Sequence, residues 1–379
     1  MHSIDDIRFM ARAIQLAGKG LNTTDPNPRV GCVIVAKGEI VGEGWHVWAG
    51  GPHAEIHALQ VAGEAARGAT AYVTLEPCCH QGRTAPCTQA LIRAGVARVV
   101  SAMTDPNPQV AGAGLKQLAA AGIATQNGLL KGEAEALNPG FVMRMRARRP
   151  FVRCKLAMSV DGRTAMASGE SRWITAAAAR RDVHRLRARS SAIMTAIGTV
   201  LADDPALTAR LGDEEGVVTR QPLRVVVDRQ LRMPATARML GLPGTTLVFT
   251  ASNDPLRRLA LETAGAQIET VPSSARGVDL HAVLARLADR EMNEVMVEAG
   301  PSLAGSLLAA GFIDELVIYM APHLMGEKAR GLFELPGLER MTDRIELEIH
   351  DIRAVGRDLR ITAIVKGGSG ALTAREAAS

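Results

Sequence analysis

Aromatic residues are scarce: six Phe, three Trp and two Tyr make up 3% of 379 residues. Proteins that bind single-stranded nucleic acid stack bases on aromatic side chains, so this scarcity disfavours that class of partner. Long apolar runs are also missing, and no stretch reaches the roughly 18 to 20 residues that a membrane-spanning helix needs. The opening MHSIDDIRFMARAIQ places Asp5 and Asp6 where a signal peptide would carry its apolar core. A cytoplasmic location is the expectation. Cysteine is sparse and odd in number, at 32, 78, 79, 87 and 154, which excludes a disulfide framework. Three of the five crowd between 78 and 87, and that crowding points to metal.

What is present describes a folded chain. Apolar residues make up 47% and charged residues 22%, the balance of soluble globular proteins, and this rules out disorder for most of the length. Only the closing GSGALTAREAAS reads as a loose tail. At roughly 150 residues per domain the length suggests two or three domains. Lys and Arg exceed Asp and Glu, 44 against 39, a mild basic bias consistent with nucleic acid, an anionic lipid surface or a small phosphorylated ligand, of which the phosphorylated metabolite is the milder reading.

Periodicity divides the chain in two. Ile7, Met10, Ile14 and Ala17 mark a helix over 5–18, stopped by Gly18 and Gly20. A β-branched strand at 30–36 turns at Lys37-Gly38 into a hairpin partner at 39–42. Helices are expected at 53–62, 84–94 and 115–121, and strands at 69–75, 98–103 and 123–126. A hairpin followed by alternating helix and strand implies a layered α/β domain. DPNP occurs twice, at 25–28 and within 104–108, and reads as a turn at both places. The arginine-rich stretch 138–150, NPGFVMRMRARRP, looks like a domain boundary. Beyond it, strands are expected at 151–158, 191–196, 223–228, 246–250, 294–298, 315–320 and 360–365. A helix at 176–189 follows Thr175 as its N-cap. The expected division is 1–147, 148–367 and a tail at 368–379.

In the first half, His53-Ala-Glu55 opens a helix after the tight Gly50-Gly51-Pro52 turn, and Glu76-Pro77-Cys78 and Cys87 follow. One His and two thiolates meet the needs of a catalytic zinc, which takes three protein ligands and keeps one position open. Zinc lowers the pKa of water in that position, and Glu55, two residues from a ligand, can carry the water proton to a ring nitrogen and a leaving amine. That division of labour is hydrolytic deamination of an amino-substituted base. The spacing departs from the P-C-x-x-C form: Gln81 stands where the second Cys is expected, and Cys87 is the next thiolate. A closed structural site would instead recruit His57, Cys79 or His80 as a fourth ligand, but Glu55 beside His53 argues against it. Cys32, in an apolar strand, is expected to be an inert core thiol.

The second half has no G-x-G-x-x-G after a strand. It does have VMVEAGPSL at 295–303, an apolar strand running into a Gly/Ser turn and a helix whose first N–H groups can receive phosphate. Taken singly, its other residues have plain structural readings. Arg187 lies in HRLRARS, which reads as a solvated face, Trp173 reads as a core aromatic, and Asp203-Asp204-Pro205 as a turn.

PHAEIHAL, TLEPCCHQGRTAPCTQALI and PNPRVGCVIV resemble the deaminase half of the bifunctional riboflavin-biosynthesis deaminase–reductase family. KLAMSVDGRTA, GESRWIT, TVLADDPALTAR and VEAGPSLAGSL resemble its reductase half, so the likeness covers about residues 5–365. It implies a cytidine-deaminase-like three-layer domain followed by a dihydrofolate-reductase-like domain. It also implies that His53, Cys78 and Cys87 bind zinc and that Glu55 shuttles the proton. Asn27, His46, His80, Arg83 and Thr84 would surround a phosphoribosyl pyrimidine, with Arg83 towards its phosphate. Cys79 departs from the single Cys usual in the family and is an alternative to Cys78 as a ligand.

For the second half the resemblance implies NADPH against Ala157, Trp173, Thr199, Asp203, Arg229 and the run Gly300, Pro301, Ser302, Leu303, Ala304, Gly305 and Ser306. Ser171, Arg187, Leu207, Arg210 and Glu298 would face the substrate, with Arg187 and Arg210 suited to its phosphate. Lys155 and Asp203 would handle the proton that accompanies hydride transfer. The partner implied is a small phosphorylated pyrimidine, with neither nucleic acid nor membrane, and the chain is expected to form a homo-oligomer, a dimer or tetramer.

Overall fold

The computed structural model describes residues 2–80, 85–211, 220–275 and 277–366. The chain divides into two compact units between Arg148 and Arg149.

The first unit opens with α1 (Ile4–Gly18), started by a capping box in which Ser3 and Asp6 satisfy each other's backbone N–H groups. There follow β1 (Gly31–Ala36), β2 (Glu39–Trp45), α2 (Ala54–Ala62), β3 (Thr70–Val73), α3 (Cys87–Ala94), β4 (Arg98–Ser101), α4 (Ala113–Ala120) and β5 (Ala124–Asn127). The sheet runs β2-β1-β3-β4-β5, with β1 antiparallel to both neighbours and β3, β4 and β5 parallel. β1 is apolar on both faces. Val33 and Val35 pack with Phe9 and Met10 of α1, whereas Cys32 and Ile34 pack with Ala54 and Ala58 of α2. Burial on both sides explains a continuous apolar run where a surface strand would alternate.

The boundary stretch is itself structured, and the division between the two units falls inside it. α5 (Lys131–Leu137) and α6 (Pro139–Ala147) pack Ala134, Phe141 and Val142 onto the α1 side of the sheet. The arginines obscured this: Arg146 pairs with Glu135 at 2.8 Å, and Arg148 ends the helix at φ 53°.

The second unit contains β6 (Phe151–Ser159), β7 (Arg163–Ala165), α7 (Ala177–Arg189), β8 (Ala192–Ala196), α8 (Ile197–Asp203), β9 (Leu223–Val227) and β10 (Thr246–Thr250). It continues with α9 (Pro255–Thr263), β11 (Ala266–Thr270), β12 (Ser273–Ser274), β13 (Gly277–Val278), α10 (Leu280–Asp289), β14 (Glu294–Val297) and α11 (Pro301–Ala309). β15 (Glu315–Ala321), β16 (Arg330–Gly331), β17 (Leu347–Val355) and β18 (Asp358–Val365) complete it. Nine strands form one sheet in the order β11-β10-β9-β8-β14-β6-β15-β18-β17, parallel from β11 to β15 and closed by an antiparallel pair. Val152, Cys154 and Leu156 of β6 enter a core shared with α10 and α11. Arg153, Lys155 and Ala157 alternate to the opposite face. Arg153 is buried there because Glu294, at 2.9 Å, and Glu315 neutralise it.

One cap differs from expectation. α7 is capped at Ala176, whose N–H donates to Asp358 Oδ2 at 2.7 Å, while the Thr175 carbonyl accepts from Arg180. A residue 182 positions away supplies the cap, which local sequence could not reveal. No helix among the described residues is long and apolar enough to cross a membrane.

β2 allows α2 a close approach through its glycines. A Cβ on Gly44 would lie 2.4 Å from the Ala54 carbonyl oxygen and 2.5 Å from the Ala58 nitrogen. Gly44→Ala is expected to cost about 1–3 kcal/mol by overpacking and to displace the helix that begins after His53. Urea unfolding and bound zinc per chain would both report it, with Gly18→Ala, which meets nothing within 4 Å, as the near-neutral control.

Candidate functional site

Two helix starts converge in the first unit. His53 is the N-cap of α2, and Cys87 is the first residue of α3. Cys78, in the loop after β3, accepts the Cys87 backbone N–H at 3.4 Å. His53 Nδ1 lies 3.2 Å from Cys87 Sγ and 3.5 Å from Cys78 Sγ, and all three donor atoms fall within 4.8 Å of one another. The set fits zinc: tetrahedral bonds of about 2.3 Å to sulfur and about 2.0 Å to nitrogen give donor separations near 3.5 Å. Three donors leave a fourth position for water.

The electrostatics favour a metal-ready pair of sulfurs. Hydrogen bonds from Cys87 and then His53 hold the Cys78 thiol well below the usual thiol range, which favours the thiolate, while the contact with Cys78 and burial push Cys87 up. Glu55, in the first turn of α2, is buried at 3% exposure. Burial raises its pKa above the usual carboxylate range, and its carboxyl interacts with the Cys87 side chain. A buried carboxyl of raised pKa, next to the donors but outside the donor set, is suited to carrying a proton.

Glu76 fixes this loop, a role the sequence reading did not assign. Its carboxylate accepts four backbone N–H groups, those of Asp105, Gly112, Gly114 and Leu115, at 2.9–3.2 Å. The second DPNP turn is therefore tied to the strand end that leads to Cys78. Cys32 is fully buried against α2, and its thiol is pushed well up.

Of the expected pyrimidine-contacting residues, His46 stands against His53 with ring centroids 5.4 Å apart. Its Nδ1 meets the Pro52 carbonyl at 3.0 Å, while its buried Nε2 has no partner. Burial lowers its pKa, leaving a neutral ring with one nitrogen available to a ligand. Asn27 is half-buried in the loop before β1, and His80 is exposed after the Cys78-Cys79 pair. Arg83 and Thr84 lie outside the described residues.

In the second unit a cavity of about 1360 Å³ opens at the carboxyl ends of the parallel strands. That edge is where open α/β sheets bind ligands. Lys155, Ala157, Ser171, Trp173, Arg187, Thr199, Asp203, Leu207, Arg210, Arg229, Glu298, Gly300, Pro301, Ser302, Leu303 and Ser306 all line it. Two expected residues do not. Ala304 is fully buried in the core, and a Cβ on Gly305 would lie 2.2 Å from the Glu334 carbonyl oxygen. They sit on the buried face of α11, where close packing explains their small side chains.

Several wall residues differ from their plain structural readings. Trp173 is 70% exposed, and the Arg180 guanidinium stacks 4.6 Å from its ring centroid. Arg187 is no solvated surface charge: it grips Glu298 through two hydrogen bonds of 2.6 and 2.9 Å. Asp203 ends α8, and Arg172 holds its backbone carbonyl and lies 3.5 Å from its carboxylate. Burial lowers the pKa of Lys155, which Glu298 opposes.

The donor geometry leaves Cys79 out of the metal set. Cys79→Ser is expected to retain about one zinc per chain, whereas Cys78→Ser and Cys87→Ser each lose it on dialysis. Elemental analysis of the purified variants decides; zinc loss from Cys79→Ser alone would reassign the ligand.

Residues 3–103 match the family model of the cytidine and deoxycytidylate deaminase zinc-binding region, and residues 150–361 match that of the RibD C-terminal domain. The riboflavin biosynthesis protein RibD of Escherichia coli K12 is 53% identical over 364 residues, covering 94% of this chain and 98% of that one. The Haemophilus influenzae protein of the same name is 48% identical over 373 residues, covering 96% and 99%. The solved structure of Acinetobacter baumannii RibD superposes with a TM-score of 0.89 at 44% identity, covering 96% and 99% of the two chains. A Thermotoga maritima structure, described as a diaminohydroxyphosphoribosylaminopyrimidine deaminase/5-amino-6-(5-phosphoribosylamino)uracil reductase, gives 0.83 at 32%, covering 95% and 99%. With both domain models matched and identity running nearly end to end, the chain belongs to the RibD family of riboflavin-biosynthesis enzymes, a zinc-binding deaminase domain followed by a reductase domain.

Proposed function

We propose that residues 1–147 hydrolytically deaminate 2,5-diamino-6-(5-phosphoribosylamino)pyrimidin-4(3H)-one, and that residues 148–367 then reduce the ribosyl side chain to give 5-amino-6-(5-phosphoribitylamino)uracil. The three-donor cluster with buried Glu55 beside it carries the first assignment. When bound, zinc held by His53, Cys78 and Cys87 activates water for attack on the amino-bearing ring carbon. Glu55 takes the proton released, delivers it to the ring nitrogen and assists departure of ammonia. Burial raises its pKa, which suits a group that must accept and return a proton. His46 offers its unpartnered Nε2 to the pyrimidine. Asn27, His80, Arg83 and Thr84 complete the pocket in this reading.

In the reductase cavity, NADPH supplies the hydride. Ala157, Trp173, Thr199, Asp203, Arg229 and the first turn of α11 receive the dinucleotide, and Ser171, Leu207, Arg210 and Glu298 receive the pyrimidine ribotide. Lys155 handles the accompanying proton better than Asp203 does. Burial drives it towards the neutral amine, whereas the Asp203 carboxylate is partly exposed and paired with Arg172. The reading places both steps in the cytoplasm, where the five free cysteines stay reduced.

The same reading includes a homo-oligomer. β17 is an edge strand with Leu347, Ile349 and Ile352 at 41%, 58% and 56% exposure, a row that a second copy would cover. Ile349→Lys combined with Ile352→Glu is expected to shift the chain to monomer in light scattering on a sizing column. A monomeric wild type removes this part of the reading.

The activity test uses the zinc-loaded chain with the diaminopyrimidine ribotide, following ammonia and product mass. Ammonia should appear without NADPH, and reduced product only after NADPH is added. Glu55→Gln should keep its zinc and still reduce the deaminated ribotide, while ammonia release falls at least ~10²-fold. Undiminished ammonia release from Glu55→Gln would overturn the proton-carrier role.

A further inference from the structure

α7 presents Arg180, His184 and Arg187 to the reductase cavity at helical spacing. The two arginines suited to a phosphate, Arg187 and Arg210, are not equivalent. Nε and Nη2 of Arg187 donate to the two Glu298 oxygens, and Nη1 donates to the Thr208 carbonyl at 3.0 Å. Its bidentate edge is taken. Arg210 is exposed to the cavity and forms no ion pair among the described residues. Its Nη2 lies 3.2 Å from Nε2 of His184. A guanidinium cannot accept a hydrogen bond, so Nε2 must carry the lone pair and Nδ1 the proton.

We propose that His184 is a positioning residue for the substrate's phosphomonoester: it accepts a hydrogen bond from Arg210, fixes the plane of that guanidinium and leaves its other N–H groups for the phosphate. Arg187 has a separate task, holding Glu298 and the 207–210 loop in place. The inference rests on the reading that this cavity takes a phosphoribosyl substrate. Burial, reinforced by the neighbouring Arg187 and Arg210 charges and opposed by Glu298, lowers the His184 pKa to about 4. The imidazole therefore stays an acceptor at neutral pH, and a second cation is never placed beside Arg210.

The test is steady-state reduction by the full chain of two substrates, the deaminated ribotide and its dephosphorylated riboside. For His184→Leu, KM for the ribotide should rise about tenfold through loss of one hydrogen bond to a charged group, with a much smaller change in kcat. KM for the riboside should not move. His184→Gln, whose carbonyl oxygen can accept from Arg210, should recover most of the loss. In an Arg210→Ala background His184→Leu should add nothing, because the two act as one unit. The ratio of ribotide KM between His184→Leu and wild type should stay flat from about pH 8 to about pH 6, since the imidazole is neutral throughout.

Equal losses on ribotide and riboside, or additive losses with Arg210→Ala, would overturn the inference. So would a ratio that grows as pH falls, which would mark His184 as a cation for the phosphate. If His184→Leu does not fold, His184→Gln against the shorter His184→Asn carries the same comparison. A wild-type chain that reduces no ribotide overturns the reading beneath it. Reduction untouched by His184→Leu overturns the inference alone.

Discussion

The deaminase unit depends on two helices starting at one point. A thiolate is stabilised by unpaired backbone N–H groups and by the positive end of a helix dipole, so metal-ligand chemistry is cheapest where a helix begins. His53 caps α2, Cys87 starts α3, and Cys78 receives the α3 backbone N–H. Their convergence requires α2 to lie close against β1 and β2. Small residues permit this, with Ala54, Ala58 and Ala62 facing the sheet and Gly42 and Gly44 beneath them. The same close packing buries Glu55, and burial raises its pKa above the usual carboxylate range. A backbone contact and a step of acid–base chemistry are thus one constraint seen at two levels.

The reductase unit solves a different problem, gathering residues from many strands at one edge of a parallel sheet. Alternation along β6 sends Val152, Cys154 and Leu156 to the core and Lys155 and Ala157 towards the cavity. Strand ends deliver Glu298 after β14 and Arg229 after β9, and the start of α11 supplies N–H groups. Nothing in this scheme needs the residues to be near in sequence; it needs the strands to be in register. Arg187 and Glu298, 111 positions apart, meet because α7 crosses the end of β14.

The metal site was legible in the sequence because its chemistry is local and its residue types are rare. His53, Glu55, Cys78 and Cys87 span 35 positions and use residues seldom placed together without cause. Strands were legible where both faces are buried, as in β1, β8 and β10. What stayed hidden is what distance supplies. α6 lies inside the arginine-rich boundary stretch, yet Phe141 and Val142 fill the core behind its arginines. The true cap of α7 is completed by Asp358, and the tie holding the Cys78 loop runs from Glu76 to backbone N–H groups that carry no sequence signal. Ala304 and Gly305 fall inside a run that resemblance assigns to the cofactor, yet on a nine-residue helix only one side can face a ligand. His184 was lost among the arginines of α7 for the same reason.

The basic bias acquires a location once the arginines are sorted by what they touch. Arg149 and Arg153 are buried and neutralised by Asp314, Glu294 and Glu315, so they add nothing to an external field. Arg187 is cancelled by Glu298. Arg210, Arg229, Arg232 and Arg238 line the reductase cavity, and none of them forms an ion pair among the described residues. A net charge of +5 spread evenly over a surface would be weak, but the same excess concentrated along one concave wall attracts anions strongly, because low-dielectric walls focus the field. NADPH and a pyrimidine ribotide are both phosphorylated, and under the proposed function a cavity holding them together needs more positive charge than either alone. Arg210, Arg229, Arg232 and Arg238, without an ion pair among the described residues, are placed to supply it.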